Sequence, residues 1–305
     1  MDNISLENIN PIEYIVTPVS PYFICNHFIS TEIHSSDPKY ILIDLDLKAN
    51  DLLNNKNYND IKNFDIIQVQ VDLFDFFYDT VLPIILKNDI KVIIITSQWH
   101  WPQIQRSYKT DELLNNSNIL LWVSQNPIYK NNDKYMAFPY GIIHTNLAYY
   151  VNFVRSHNIN NHKDIKILNQ YSAIHGHLPE NHIRKKYDIF GKNSGNSMNY
   201  IDFLTNILKA EFVISTPGDR EDCYRHYECI GLNAIPVSNI DDAYRDIFGE
   251  NMVYSNAEEM IDMIYNNTVN YNYKKPNRDI VTLPYWVCKI NEKINVLRLK
   301  LTESI

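Results

Sequence analysis

Basic clusters, paired cysteines, glycine and long apolar runs are all scarce in this 305-residue chain, and the scarcities exclude whole classes of protein. The formal charge is −8, from 28 Lys and Arg against 36 Asp and Glu, and cations gather only into short groups such as "RKK" at 184 to 186. A nucleic-acid footprint needs clustered cations to displace condensed counterions, so no nucleic-acid partner is expected and any phosphate bound is small and local. No apolar stretch approaches the roughly 18 residues that span a bilayer, so no transmembrane segment is expected. "MDNISLENINP" has neither the basic start nor the apolar centre of a signal peptide, and a cytoplasmic location is expected. Cys25, Cys223, Cys229 and Cys288 lack the paired short spacing of zinc sites and are too sparse for a disulfide framework, which predicts free thiols in a reducing compartment. Ten histidines are scattered, with "HGH" at 175 to 177 the nearest approach to a ligand pair, and no structural metal is expected. The seven glycines and the excess of Asn, Ile, Lys and Tyr reflect AT-rich codons more than the fold.

What is present suffices for two packed cores. The length is about two average domains and the chain is 45% hydrophobic. "YILIDLDL" (40 to 47), "DIIQVQVD" (65 to 72), "KVIIITS" (91 to 97) and "NILLWVS" (118 to 124) read as strands. "LFDFFYDTVLPIILKND" between the second and third reads as a packed helix that Pro83 kinks or breaks. Strands alternating with helices predict a parallel sheet covered on both faces. The polar stretch near 157 to 164 reads as a domain boundary, after which "IKILNQYS" and "FVIST" resume the strand pattern and "NHIRKKYDIFGK" and "NYIDFLTNILKAE" the helical one. Farther on, "DIFGENMVYS" holds a short strand, "NAEEMIDMIYNN" an amphipathic helix capped by Asn256, and "WVCKINEKINVLRLKLT" a final helix. The expected architecture is α/β: an N-terminal Rossmann-like domain over 1–155, a C-terminal one over 156–285, and a terminal helix over 286–305.

Four charged residues, Asp219 to Asp222, stand in "VISTPGDREDCYRHYECIGLNAIPV" between an apolar run and an aromatic helical one. Pro217 and Gly218 stop the strand "FVIST", Asp222 is expected to cap the helix, Gly231 to end it, and "NAIPV" to form the next strand. In an open parallel sheet, ligands bind outside the carboxyl ends of the strands, so the charged loop falls where a ligand would. At 100° per residue Cys223, Tyr227 and Ile230 share one side of the helix, while Arg225 and Glu228 fall together on the other. The amides of Ser215, Thr216, Pro217–Gly218 and the first helical turn suit a diphosphate, Arg225 adds charge, and Glu228 suits the vicinal hydroxyls of a ribose. The same spacing also fits a solvent-facing helix whose Arg225 and Glu228 form an i,i+3 pair of about 0.2–0.5 kcal/mol.

The run "STPGDREDCYRHYECIGLNAIPV" resembles the donor-binding signature of exostosin-type glycosyltransferases: a Ser-Pro-rich strand end, an Asp followed by a Tyr/His-Arg pair, a Glu, a Gly-containing helix end and an Ile-Pro-Val strand. Ser215, Pro217, Gly218, Asp222, Tyr224, Arg225, Glu228, Gly231, Ile235, Pro236 and Val237 carry the match, which covers under a tenth of the chain. The resemblance implies two Rossmann-like domains facing a cleft (the GT-B fold), with Glu228 on the nucleotide ribose and Arg225 near the phosphates. "HGHLPENHIRKKYDIFG" is similar to the first loop and helix of such a donor domain, which implies that Arg184 reaches the diphosphate. Golgi members carry a membrane anchor, none is expected here, and the N-terminal half shows none of the family's motifs. The implied activity is a hexosyltransferase taking a nucleotide-sugar donor as co-substrate, with no cofactor and no required metal, and a glycan, protein or small-molecule acceptor.

Other residues compete for roles. Asp44 and Asp46 in "DLD" resemble the Asp-x-Asp that holds a metal and sugar nucleotide in GT-A enzymes, although strand alternation also places both on one face of a strand. Trp99, His100 and Trp101 in "SQWHWPQ" follow an apolar strand, where indole faces stack on sugars and His100 suits proton removal from an acceptor hydroxyl; ordinary aromatic packing fits too. His27 and His144 are the other candidates for that base. A non-catalytic sugar- or nucleotide-binding protein on the same scaffold is the remaining alternative.

Overall fold

The computed structural model describes residues 14–30, 58–97, 103–170, 199–218 and 220–303, with the backbone of two strands at 32–34 and 41–43. Asp44, Asp46, Trp99, His100, Trp101, the "HGH" triplet, Arg184 and Asp219 lie outside the described residues. The chain forms two compact units. Unit I comprises Pro18–Pro139 with Leu283–Ile305, and unit II comprises Met1–Thr17 with Tyr140–Thr282.

Unit I is built on a five-stranded sheet of β1 (His27–Ile29), β4 (Ile66–Gln70), β5 (Val92–Ser97), β6 (Ile119–Ser124) and β7 (Tyr135–Ala137), in that spatial order. Every pairing in it is parallel. The two central strands β5 and β6 are buried at every position, which is why "VIIITS" and "ILLWVS" read as continuous rather than alternating apolar runs. β2 (Glu32–His34) and β3 (Ile41–Ile43) form a separate antiparallel pair. The described part of the run at 40 to 47, Ile41–Ile43, therefore pairs outside the parallel sheet. Its partner strand ends six residues earlier, and a parallel crossover needs a dozen or more.

The helical stretch after β4 winds as α (Phe74–Phe76), then a π turn (Phe77–Val81), then α1 (Leu82–Lys87) with Pro83 in its first turn. Proline cannot donate the bond its i−4 carbonyl needs, and the wider turn before it absorbs the defect. Phe74, Phe77, Val81 and Ile85 keep 3,4,4 spacing and bury one face against Val69, Ile94 and Trp122. Each such buried side chain contributes roughly 1.5–3 kcal/mol. Helix α2 (Tyr108–Asn115) starts at a capping box formed by Ser107 and Thr110.

Unit II carries a four-stranded parallel sheet of β8 (Ile165–Leu168), β9 (Ala210–Ile214), β10 (Ile235–Ser238) and β11 (Val253–Tyr254), ordered β11-β10-β9-β8. Its longer helices among the described residues are α3 (His144–Ser156), α4 (Tyr200–Lys209), α5 (Tyr224–Gly231) and α6 (Ala257–Asn266). α6 has the expected Asn256 cap, in a capping box with Glu259. The final helix α7 (Leu283–Glu303) belongs to unit I. The units divide at 17/18, 139/140 and 282/283, whereas the polar composition near 157 to 164 had pointed to a line after 155 and a separate segment from 286. α3 lies before that polar stretch yet packs in unit II, because Tyr150 is buried against Gly231. Gly141 lies at the start of unit II with φ +82°, and a Cβ there would meet the Val16 carbonyl oxygen at 2.1 Å, so only glycine fits. Among the described residues, no helix is long and apolar enough to cross a membrane.

Candidate functional site

The charged loop lies at the carboxyl end of β9 in unit II. β9 and β10 pair in parallel, with Phe212 opposite Ile235 and Ile214 opposite Val237, so the loop and α5 form the crossover between them. The Ser215 N–H still extends the ladder, donating to the Val237 carbonyl at 2.8 Å. Its hydroxyl does not face outward; it is fully buried and lies 2.8 Å from His226 Nδ1. Thr216 and Pro217 are buried and Gly218 is half-buried, with its N–H donating to the Arg220 carbonyl at 2.9 Å.

Asp222 does not cap α5. The cap position is Cys223, whose side chain makes no capping hydrogen bond. The Asp222 carboxylate is 1% exposed and accepts from the Tyr140 N–H at 2.9 Å and from the Tyr227 hydroxyl. Two donors inside the unit outcompete the helix end for it. Burial pushes its carboxyl up to about 6, against the opposing pull of the His226 charge and the Tyr227 and Tyr140 hydrogen bonds. Burial also raises the neighbouring Glu221, whose Oε2 accepts from the Asp241 N–H at 3.2 Å.

The same inward turn affects Glu228. A solvent-facing pair of Arg225 and Glu228 is overturned, because Glu228 is only 4% exposed. Its Oε1 accepts from the Tyr200 hydroxyl at 2.6 Å. Burial pushes the Glu228 carboxyl up, while the Tyr200 hydrogen bond and the Arg225 charge pull it down. Arg225 is half-buried, with its guanidinium 5.5 Å from the Phe203 ring centre on α4. Tyr200 and Phe203 stack, so one face of α4 presents both a hydrogen bond to the carboxylate and a surface to the cation.

The spacing of the signature did not reveal a second constellation. Arg220, 6% exposed, lies 3.8 Å over the ring of Tyr140, and Tyr140 stacks on Tyr224 with centroids 5.2 Å apart and planes at 19°. A guanidinium and two phenol rings thus form a layered wall beside the start of α5. Arg220 was visible as a loop charge, but Tyr140 is 84 residues from Tyr224, beyond the reach of any periodicity. Tyr200, 28 residues from Glu228, was missed for the same reason, whereas His226 lies in the stretch itself and was missed because spacing does not show its burial. A helix N-terminus without a side-chain cap, flanked by Arg220 and Arg225, favours an anion chemically, and a buried carboxylate with a tyrosine beside it favours a hydroxyl donor.

In unit I the carboxyl edge of the sheet has a polar floor. Gln70 pairs with Ser97 in register, and Thr96 with Ser124. The Gln68 amide donates to Ser97 Oγ at 2.8 Å, and Thr96 receives the Trp122 indole N–H at 2.9 Å. Asn126, two residues past β6 and 2% exposed, has neither side-chain amide atom hydrogen-bonded. His27 lies at the opposite, amino edge, with Nε2 2.8 Å from Asp65 Oδ2. His144 opens α3 in unit II, and burial pulls its imidazole down to about 4, so the ring is neutral at pH 7.

The chain is therefore an α/β protein with two parallel sheets, whose candidate site is a strand-end loop feeding a buried helix. No protein-family model matches the sequence, and no curated protein sequence matches it.

Proposed function

We propose that the chain is a glycosyltransferase of the GT-B class that transfers a hexose from a nucleotide-diphosphate sugar to an acceptor hydroxyl. The observation that carries the reading is Glu228: a carboxylate held 4% exposed on the helix that follows a parallel-strand loop, oriented by Tyr200 and with the Arg225 charge acting on it. A surface ion pair has no need of burial, and burying a carboxylate costs free energy that a ribose diol offsets only in the bound state. Arg225 and the α5 amides then stabilise the diphosphate as the bond from the sugar C1 to the phosphate oxygen breaks, and a new bond forms from C1 to the acceptor oxygen. The Arg225 charge and the amide dipoles supply that stabilisation, so the reaction proceeds without a required metal. The Arg220, Tyr140 and Tyr224 wall flanks the phosphate end. The acceptor proton passes to His100 or to His144; His27, at the amino edge of its sheet and bonded to Asp65, is left out.

Titration calorimetry with uridine and guanosine diphosphates tests the site. One of the two is expected to bind, and Glu228→Gln to weaken it by at least about tenfold, or roughly 1.4 kcal/mol, while circular dichroism stays unchanged. Equal affinity in the variant removes Glu228 from the site. Transfer from the matching nucleotide sugar is expected to persist in EDTA; loss restored by Mn²⁺ would replace the metal-free reading, and saturable nucleotide binding without turnover would leave a binding protein.

A further inference from the structure

We propose that Cys223 is a reactive-thiol modification site, activated by His226 and independent of the transferase reading. Cys223 caps α5, and its Sγ lies 3.5 Å from His226 Nε2. The other ring nitrogen, Nδ1, is held 2.8 Å from Ser215 Oγ on the strand-end loop. Nucleophile, base and orienting group thus stand in series, the arrangement by which an imidazole removes a thiol proton. His226 is fully buried and its ring is fixed edge-on against Phe248, with centroids 5.3 Å apart, so it cannot turn away.

The charges around this pair favour a protonated ring. Glu221 and Asp222, both on the loop, act electrostatically on His226 and support an imidazolium, and Glu221 also offers its carbonyl 3.4 Å from Nε2. Asp222 and Cys229 also act on Cys223 and oppose its ionisation, as does the Thr216 carbonyl 3.9 Å from the sulfur. Burial of the His226 ring opposes its protonation, while the helix N-terminus at which the sulfur stands favours the thiolate. The other three thiols serve as internal controls. Burial pushes Cys25 and Cys229 well up, and Cys288, the exposed one, is raised by its hydrogen bond to Glu292. Cys223 is half-buried, unlike the fully buried Cys229 on the same helix.

With a peroxide as oxidant, the thiolate sulfur attacks one peroxide oxygen; the S–O bond forms as the O–O bond breaks. The departing hydroxide takes the imidazolium proton and leaves as water, the sulfur is oxidised by two electrons to a sulfenic acid, and the peroxide is reduced.

Alkylation of the folded protein by iodoacetamide, read at each cysteine by peptide mass spectrometry from about pH 5.5 to 9.5, tests the assignment. Cys223 is expected to react about tenfold faster than exposed Cys288 at neutral pH, with an inflection below the ordinary thiol value of roughly 8.5, and to be the position that dimedone traps after peroxide. His226→Gln is expected to slow it about tenfold and move the inflection up. Overturning results are a Cys223 rate no greater than that of Cys288, or a rate unchanged in His226→Gln. If that variant does not fold, the profile of the unaltered protein and the Ser215→Ala variant decide, since loss of the orienting hydroxyl is expected to slow Cys223 alone.

Discussion

At the scale of single residues, burial decides the chemistry of the loop. Asp222 looked like a cap because it precedes a helical run, and it is instead the acceptor for Tyr140 and Tyr227. A carboxyl pushed from 3.8 up to about 6 binds more protons in the folded than in the unfolded chain between those values. Stability therefore falls as pH rises through that window, by about 3 kcal/mol at most, and the penalty persists above it. Asp222→Asn keeps both acceptor contacts and removes the titration. Denaturant midpoints of the variant relative to the parent should climb between pH 4 and 6 and level off above; a flat difference would show that Asp222 ionises as an exposed carboxylate does. His144, pulled down to about 4, acts with the opposite sign in both proteins and cancels from the difference. Arg225 and Glu228 were legible from spacing, but not their environment. Tyr200 and Phe203, which set it, are on α4 and have no helical period in common with α5.

At the scale of elements, the longer strands were legible, as were the edges of the unit II sheet, and the short edges of the unit I sheet were not. β4, β5 and β6 coincide with the expected runs because short, largely apolar runs with buried centres have few other uses. β1 and β7 are three residues long, too short for a pattern, and exist because a neighbouring strand offers them a ladder; β11 falls in "DIFGENMVYS", where a short strand was expected. Gly231 was expected at a helix end for its backbone freedom. It is the last residue of α5, but the left-handed residue is Asn233, at φ 58°. Gly231 is needed for space: a Cβ there would lie 1.7 Å from the hydroxyl of Tyr150, which is 2% exposed. Helix propensity favours alanine over glycine by about 1 kcal/mol, and overpacking costs about 1–3 kcal/mol, so the clash wins. Gly231→Ala should lower the urea midpoint, and adding Tyr150→Phe should recover part of the loss. A single variant as stable as the parent would show that the ring moves freely.

At the scale of the whole molecule, the chain's ends are exchanged: its first described residues belong to unit II and its last helix to unit I. α7 buries Trp286, Ile290 and Ile294, sets Trp286 edge-on to Phe138 at 6.0 Å, and adds Lys300 to Asp133 at 3.0 Å. The exposed ion pair counts for little; the indole matters, and Trp286→Ala should cost about 3–5 kcal/mol. Native-state hydrogen exchange locates that cost. Amides of β5 and β6 should lose protection while those of β9 and β10 keep it, and equal loss in both sheets would mean that α7 does not belong to unit I alone. The sequence by itself determined the α/β class, the central strands, the α6 cap and the stretch that holds the site, because these depend on local periodicity and turn chemistry. Tertiary structure alone decided which side chains that site buries, which strand pairs antiparallel and which unit each end joins. Contacts such as Tyr140 with Asp222 or α7 with β6 bridge residues far apart in the chain, and no local pattern encodes them.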